Sequence, residues 1–236
     1  MILGLLRHIA AILRFFVPAT LFILLTGCEG ALSTVDPAGP AARSITTLWW
    51  VMLAGASGIF GLVMILLVFS FRRNSESGVE ARQESIWILG FGLVFPAVIL
   101  GALLAYGLVI GAQLSPQNGA NAVKVTAEAR RWEWRFTYAD APALETTGTL
   151  HIPAGRPVDI AITTADVIHS FWVPRLAGKL DAIPGHINTL RLEADMPGTY
   201  KGVSAEFSGA GYEAFTFRVI AHTEAGWTKF LQGQPE

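Results

Sequence analysis

Residues 167–212 read VIHSFWVPRLAGKLDAIPGHINTLRLEADMPGTYKGVSAEFSGAGY, and this stretch decides the fold of the second half of the chain. Short runs rich in apolar residues, such as SFWVPR, NTLRLEA and GTYKGVS, are separated by Gly, Pro and Asp. This spacing predicts short β-strands joined by turns. Similar runs extend from Val123 to Ala221, so the sequence predicts about seven strands in an all-β sandwich. A short C-terminal helix is predicted over TEAGWTKFLQG.

The segment GVSAEFSGAGYEAF, residues 202–215, overlaps the end of this stretch and extends three residues beyond it. It has the glycine-rich rhythm of a metal-binding loop but contains no strong metal ligand. The whole chain has one cysteine, Cys28. An intrachain disulfide is therefore impossible, and chemistry that needs a thiolate after residue 28 is excluded.

The first half of the chain has a different composition. Residues 45–71 and 86–112 contain no charged side chain, and each run exceeds the roughly 20 residues needed to cross a bilayer. The sequence therefore predicts two transmembrane helices within residues 45–112, joined by a loop at residues 72–85. Residues 113–236 form the predicted β-domain, with 11 Lys and Arg against 13 Asp and Glu. That balance provides no basic patch for nucleic acid.

The N-terminal 27 residues have the pattern of a secretory signal peptide. Two arginines precede an uncharged run of 13 residues at positions 15–27, which suits a signal peptide better than a membrane span. The run ends LLTGC, which matches the bacterial lipobox, so Cys28 is the predicted site of diacylglyceryl attachment. The alternative is a buried structural cysteine.

The distribution of arginine predicts the orientation in the membrane. The 72–85 loop contains three arginines, whereas residues 28–44 contain one and the next basic residue after the second span is Lys124. The positive-inside rule places the loop in the cytoplasm. Residues 28–44 and 113–236 are then exported, which is also the orientation that lipidation of Cys28 requires. The expected location is the bacterial inner membrane, with the β-domain on the periplasmic face.

Two membrane helices followed by an exported β-sandwich resemble subunit II of the haem–copper terminal oxidases. The match rests on ordered motifs within residues 167–212: His-Ser-Phe, then Lys-x-Asp-x-x-Pro-Gly at residues 179–185, then Gly-x-Tyr. The aromatic segment RRWEWRF resembles the corresponding segment of that family. The resemblance covers about residues 28–230 and implies a cupredoxin fold.

In copper-bearing members of that family, the resemblance implies a dinuclear copper centre held by one early histidine and a loop of the form Cys-x-Glu-x-Cys-x-x-x-His-x-x-Met. The early histidine is retained as His169. The four loop ligands are replaced by Ser204, Ser208, Tyr212 and Phe215. Such a copper pair needs soft thiolate ligands, which serine hydroxyls cannot replace. The sequence therefore predicts no copper in this domain, and a lone histidine in a β-domain is more often hydrogen-bonded than a ligand.

A branch of the family without copper ligands comprises the quinol oxidases. The resemblance implies subunit II of a respiratory, proton-translocating quinol:oxygen oxidoreductase. The haems and catalytic copper would belong to subunit I, and this chain would be non-catalytic and would hold no cofactor of its own. The implied partners are subunits I and III, membrane lipid and quinol as the substrate of the complex.

Two alternatives remain open. Lys179, Asp181, Pro184, Gly185 and Glu206 are all present, and these residues resemble the cytochrome c oxidase branch. The chain is then subunit II of a cytochrome c oxidase variant with another route of electron entry. The other alternative is a non-catalytic assembly or scaffold lipoprotein with a vestigial cupredoxin domain.

Two carboxylates are candidate functional residues by the same resemblance. Glu206 is a candidate magnesium ligand at the boundary with subunit I, since a hard cation suits carboxylate oxygen. Glu84, three residues before Trp87, is a candidate at the entrance of a proton path. The alternatives are a surface glutamate at 206 and a solvated acid favoured by the helix N-terminus at 84. The family's proline follows its tryptophan closely, whereas Pro96 lies nine residues beyond Trp87.

Overall fold

The computed structural model describes residues 29–72, 85–114 and 122–234. Two apolar helices precede a β-sandwich. Helix α1 spans Pro40–Arg72, and a π-helical segment, Ile86–Val94, continues into helix α2, Phe95–Leu114. Both helices are long and apolar enough to cross a membrane, and most of their large apolar side chains are exposed. The two predicted spans are therefore present as helices of the expected length.

Helix α1 begins five residues before its uncharged run. Pro40 is the first helical residue, a position where the fixed φ of proline is favourable and its missing N–H costs nothing. Residues 40–44, predicted to belong to the exported segment 28–44, are thus the first turns of the helix. They are helical because they pack against the β-domain, as described below.

Within residues 122–234, the β-domain contains ten strands and a short C-terminal helix. The strands, in chain order, are β1 Val123–Arg130, β2 Glu133–Tyr138, β3 Ala141–Thr147, β4 Thr149–Pro153, β5 Val158–Thr164, β6 His169–Trp172, β7 Leu180–Ala182, β8 Asn188–Leu192, β9 Gly198–Ser204 and β10 Thr216–His222. They form two five-stranded sheets, in the orders β3-β2-β1-β5-β8 and β4-β10-β9-β6-β7. The β1–β5 and β4–β10 pairs are parallel, and the other pairs are antiparallel.

Buried and more exposed side chains alternate along the strands, and the buried ones form the core between the two sheets. In β1 and β5 every second side chain is buried, as expected when one face of a sheet is covered. The largest fully buried side chains come from both sheets and include Trp134, Phe136, Tyr138, Phe171, Leu150 and Ile160. The predicted all-β sandwich is confirmed.

The number of strands exceeds the predicted seven for two reasons. Residues 123–138, which read as one continuous strand, form the hairpin β1–β2 with a turn at Arg131–Trp132. In addition, β3 and β7 were not predicted. Strand β3 has an irregular pattern of burial, and β7 has three residues, so neither shows the apolar alternation on which such predictions depend.

Residues 29–39, which we name the N-terminal strap, are attached to the β-domain. The Ala38 amide donates to the Arg175 carbonyl at 2.7 Å, and the Asp195 amide donates to the Ala38 carbonyl at 2.9 Å. Gly39 is buried, and a Cβ there would collide with the carbonyl oxygen of Glu193. The contact continues into α1, where the Ala42 amide donates to the Leu176 carbonyl at 3.2 Å. Ion pairs join Asp36 to Arg175 and Arg43 to Asp195.

Helix α3, Glu224–Leu231, closes one side of the sandwich. The Thr223 hydroxyl caps its N-terminus by accepting from the Gly226 amide at 3.2 Å. Buried Trp227 packs on Tyr138, and Phe230 stacks on His151 with ring centroids 4.2 Å apart. This confirms the predicted C-terminal helix.

Candidate functional site

Three of the five positions that the resemblance assigns to copper ligands meet where β6, β9 and β10 converge. Pairing of β6 with β9 places Phe171 opposite Ser204, and the Ser204 amide donates to the Phe215 carbonyl at 2.9 Å. The Phe215 ring lies edge-on to the His169 imidazole at 5.3 Å between centroids. The structure therefore brings His169, Ser204 and Phe215 into one buried site.

The other two positions lie on the loop between β9 and β10. Ser208 is buried, and its hydroxyl has no hydrogen-bond partner among the residues that the structure describes. Tyr212 begins a 3₁₀ turn, Tyr212–Ala214, after Gly211, whose φ of 98° lies in the left-handed region that favours glycine. The Tyr212 ring packs against Phe207 at 5.4 Å.

His169 is held by a carboxylate on its own chain segment. Its side chain is fully buried, and its Nε2 lies 2.8 Å from Asp166 Oδ1. Its Nδ1 has no hydrogen-bond partner within the described part of the chain. One ring nitrogen is therefore committed to a structural hydrogen bond, and the other is buried without a partner among the described residues.

Asp166 is a strong acceptor. Burial acts to raise the pKa of its carboxyl group, but hydrogen bonds from His169, from the amides of Val167 and Arg131, and from the Thr164 hydroxyl outweigh burial and lower that pKa to about 2. Asp166 is thus ionised at neutral pH. Since an ionised carboxylate accepts only, the His169 Nε2 carries the proton that is donated to it.

Aromatic rings fill the space beside His169. Trp134 is fully buried and stacks on Phe215 with 5.8 Å between centroids. It also meets Phe171 edge-on at 5.4 Å. Trp132, which is half-exposed, contacts Phe215 from the other side. Phe215 therefore packs as a core residue at the position of the family's methionine ligand.

The side chains at this site do not fit a copper centre. They comprise one free imidazole nitrogen, two serine hydroxyls and aromatic carbon, without a thiolate or thioether. Copper electron-transfer centres need soft sulfur ligands. Among the described residues, no group of three or more His, Cys, Asp or Glu side chains is placed to hold any metal ion.

Glu206 lies on the same loop and has two partners. Its Oε1 accepts from the Phe207 amide at 3.2 Å, and its Oε2 lies 3.8 Å from the Lys179 ammonium. Both side chains are about half-exposed. Lys179 therefore balances the carboxylate charge within the chain, and the predicted magnesium role of Glu206 stays a prediction.

Two predicted site residues, Cys28 and Glu84, lie outside the described residues. The described part of the second span begins at residue 85, and the Trp87 ring stacks on Phe91 at 5.1 Å. The predicted roles of Cys28 in lipidation and of Glu84 in proton entry therefore stay predictions.

Asp166 and Trp134 were not among the predicted site residues. Asp166 stands three residues before His169. This short spacing was the signal in the sequence from which Asp166 could have been predicted to orient the histidine. In the sequence, Trp134 is marked only by its place in the aromatic segment RRWEWRF. Its contact with the site depends on the pairing of strands that are distant in sequence.

Comparison with known proteins gives consistent matches. Residues 135–222, from β2 to β10, match the family model described as cytochrome c oxidase subunit II, periplasmic domain. Cytochrome c oxidase subunit 2 of Alkalihalophilus pseudofirmus is 30% identical over 232 residues, covering 93% of this chain and 68% of the relative. Quinol oxidase subunit 2 of Bacillus cereus is 30% identical over 235 residues, covering 93% of this chain and 79% of the relative.

A solved structure is also similar to the β-domain. The periplasmic domain of cytochrome oxidase subunit II from Bradyrhizobium japonicum superposes with a TM-score of 0.47 at 20% identity. The superposition covers 50% of this chain and 96% of that domain.

Proposed function

Because the chain belongs to the subunit II family of haem–copper oxidases, we propose that it is the copper-free subunit II of a respiratory quinol:oxygen oxidoreductase. In that complex, membrane quinol is oxidised and dioxygen is reduced to water, with proton translocation. The haems and catalytic copper belong to subunit I. This chain is non-catalytic and supports subunit I on the outer face of the inner membrane.

The replacement of sulfur ligands in the former copper loop carries the proposal. Ser204 and Ser208 are buried, and Phe215 packs between Trp134 and His169. Without a copper relay in the exported domain, electrons from a soluble donor have no path through it. Quinol, which is dissolved in the bilayer, does not need that path.

The relatives support the same function in part. Several are named quinol oxidase subunit 2, including those of Bacillus cereus and Bacillus anthracis. A second candidate function is subunit II of a cytochrome c oxidase variant with another electron-entry route. It is favoured by the retained Lys179, Asp181, Pro184, Gly185 and Glu206 and by the relative named cytochrome c oxidase subunit 2.

The choice of electron donor tests the proposal. Oxygen uptake by the purified complex should be driven by ubiquinol and not by reduced cytochrome c. The reverse result would favour the second candidate. Metal analysis of the same preparation provides an independent check, since two copper atoms beyond the one in subunit I would contradict the assignment of a copper-free domain. A chain purified without any haem-bearing partner would instead support a scaffold lipoprotein.

We also propose that Cys28 carries the lipid of a bacterial lipoprotein. The lipobox LLTGC supports this assignment. Family membership supports the proposed association with subunits I and III. The arginine distribution supports the proposed location of the β-domain on the periplasmic face.

Glu84 is proposed to lie at the entrance of a proton path, on the cytoplasmic side. The supporting observation is its position directly before an uncharged span, three residues from Trp87. In the intact oxidase, Glu84→Ala should slow proton uptake and turnover, whereas Glu80→Ala in the same loop should not. Unchanged turnover of the Glu84 variant would remove this residue from the mechanism. A magnesium ion bound by Glu206 at the subunit boundary is the corresponding proposal on the outer side.

A further inference from the structure

The N-terminal strap runs back along the outer end of α1. A turn is closed by the Ser33 amide, which donates to the Gly30 carbonyl at 3.0 Å. Further on, the Thr46 hydroxyl donates to the Thr34 carbonyl at 2.7 Å. This bond places Thr34 beside the second turn of α1. The chain from residue 34 back to residue 29 therefore lies next to the part of α1 that enters the membrane.

An open groove separates this part of the strap from α1. Its volume is about 540 Å³, and it is lined by Glu29, Gly30, Val35, Asp36, Trp50 and Arg175. Trp50 lies five residues beyond Ile45, where the uncharged run begins, which corresponds to about 7.5 Å along the helix axis. Tryptophan rings favour that depth, at the boundary between headgroups and hydrocarbon. The groove thus lies at the outer surface of the membrane.

The lining of the groove favours an uncharged ligand with ester groups. The two carboxylates of Glu29 and Asp36 outnumber the Arg175 guanidinium, so the groove does not attract a phosphate. Arg175 gives its Nε–H to the Asp36 carbonyl at 3.0 Å and pairs with the Asp36 carboxylate at 2.8 Å. Since a guanidinium has five N–H donors, it retains donors for the carbonyl oxygen of an ester. Trp50 offers half of its surface for contact with glycerol and acyl carbon.

The residue that precedes the groove supplies a ligand of this kind. Glu29, which lines the groove, is joined directly to Cys28. A diacylglyceryl thioether is uncharged and has two ester carbonyls. We propose that this groove seats the glyceryl ester part of the lipid on Cys28, so that its acyl chains enter the bilayer alongside α1 at Trp50. The inference rests on the proposed lipidation of Cys28.

Photo-crosslinking in the intact, membrane-purified protein tests this site. A benzophenone amino acid is placed at Trp50 and, in a second variant, at Val35 on the opposite wall of the groove. The matched control is the same probe at Met52, which is equally exposed and, two residues further along the helix, points to nearly the opposite face. After irradiation, mass spectrometry identifies the peptide that begins at Cys28 and any lipid attached to it.

We expect cross-links from positions 50 and 35 to the lipid on Cys28, in several-fold excess over position 52. Equal cross-linking at all three positions, or cross-links from 50 and 35 only to membrane phospholipid, would overturn the seating of the lipid in this groove. The mass of the N-terminal peptide before irradiation reports lipidation separately. An unmodified Cys28 would contradict both the lipidation and the groove assignment, whereas a lipidated Cys28 without the excess contradicts only the groove.

Discussion

At the scale of single residues, the segment that resembles a copper-binding loop contributes buried side chains to an aromatic core. Phe215 and Trp134 stack beside His169, while Ser204 and Ser208 are buried within the same region. Aromatic pairs of this kind add stability beyond their buried area. The His169 ring is held in place by its hydrogen bond to Asp166.

Replacement of Asp166 by asparagine should weaken the domain in a pH-dependent way. The variant loses an ionised acceptor for His169 and for the amides of Arg131 and Val167, and we expect a loss of about 1–3 kcal/mol at neutral pH. The folded pKa of Asp166, about 2, lies below the ordinary value of 3.8. Its contribution is therefore complete above pH 4 and is lost as the pH falls towards 2.

Unfolding of the β-domain followed from pH 7 to pH 2 measures this effect. The difference in stability between the wild type and the Asp166→Asn variant should narrow below pH 4. Asp140→Asn, at an exposed turn, is the control and should change stability little. A difference that stays constant down to pH 2 would show that the carboxylate charge is not the source of the stabilisation.

The sequence assigned Ser204, Ser208, Tyr212 and Phe215 to ligand positions through its resemblance to the family's loop, and that assignment stays a prediction. It did not predict that Trp134 packs on Phe215, since this contact joins residues 81 positions apart. The pairing partner of the Glu206 carboxylate, Lys179, was likewise not predictable. That contact requires the β6–β7 and β9–β10 connections to approach each other in space.

At the scale of elements, the strap and the first turns of α1 form a joint between membrane and β-domain. The joint depends on a close approach of backbone at Gly39, where a Cβ would collide with the Glu193 carbonyl oxygen and lie 3.0 Å from that of Leu176. No side chain fits there unless the two backbones separate.

Gly39→Ala should therefore loosen the strap. Overpacking of this kind costs about 1–3 kcal/mol of stability. We expect this local destabilisation to appear as faster amide exchange at residues 38–43 and in the segment around Asp195. Gly55→Ala within α1 is the control, because a Cβ there meets no atom within 4 Å. Unchanged exchange at Ala38 and Ala42 in the Gly39 variant would contradict the close packing.

The hairpin β1–β2 shows why one element boundary was missed. Buried positions are odd-numbered from Val123 to Ala129 and even-numbered from Trp134 to Tyr138. The switch from odd-numbered to even-numbered buried positions marks the two-residue turn at Arg131–Trp132. That turn contains none of the Gly, Pro, Asn or Asp residues that usually signal one, so the two strands read as a single run.

At the scale of the whole molecule, packing around the β-sandwich extends beyond residues 113–236 to the segment that precedes the first apolar helix. Ala38 and Ala41 pack against the core of the sandwich, so part of the folded unit precedes the first membrane span. The sequence predicted the order of membrane helices and β-sandwich from hydropathy and motifs. It did not predict this contact, because the strap shows neither the alternation of apolar and polar residues that indicates a strand nor a recognisable motif.

A β-domain consisting of residues 122–234 alone should consequently be less stable than one with its strap. Without the strap and the first turns of α1, the carbonyl groups of Arg175 and Leu176 and the amide of Asp195 lose their partners. A loss of about 1 kcal/mol lowers the melting temperature of a domain of this size by about 4 °C. Addition of a peptide comprising residues 29–46 should raise the melting temperature in proportion to its binding, and a scrambled peptide should not. Equal melting temperatures with and without the native peptide would show that the strap is not part of the folded unit.

The strap also limits how the β-domain can move relative to α1. A domain joined to a span by one flexible connection can rotate about it and carry a bound group between two partners. Here, backbone hydrogen bonds from Ala42 to Leu176 and from Asp195 to Ala38 fix the outer end of α1 to the domain. A swinging motion would have to break these bonds and the Asp36–Arg175 ion pair. Any displacement of the β-domain would therefore tilt α1 in the same direction.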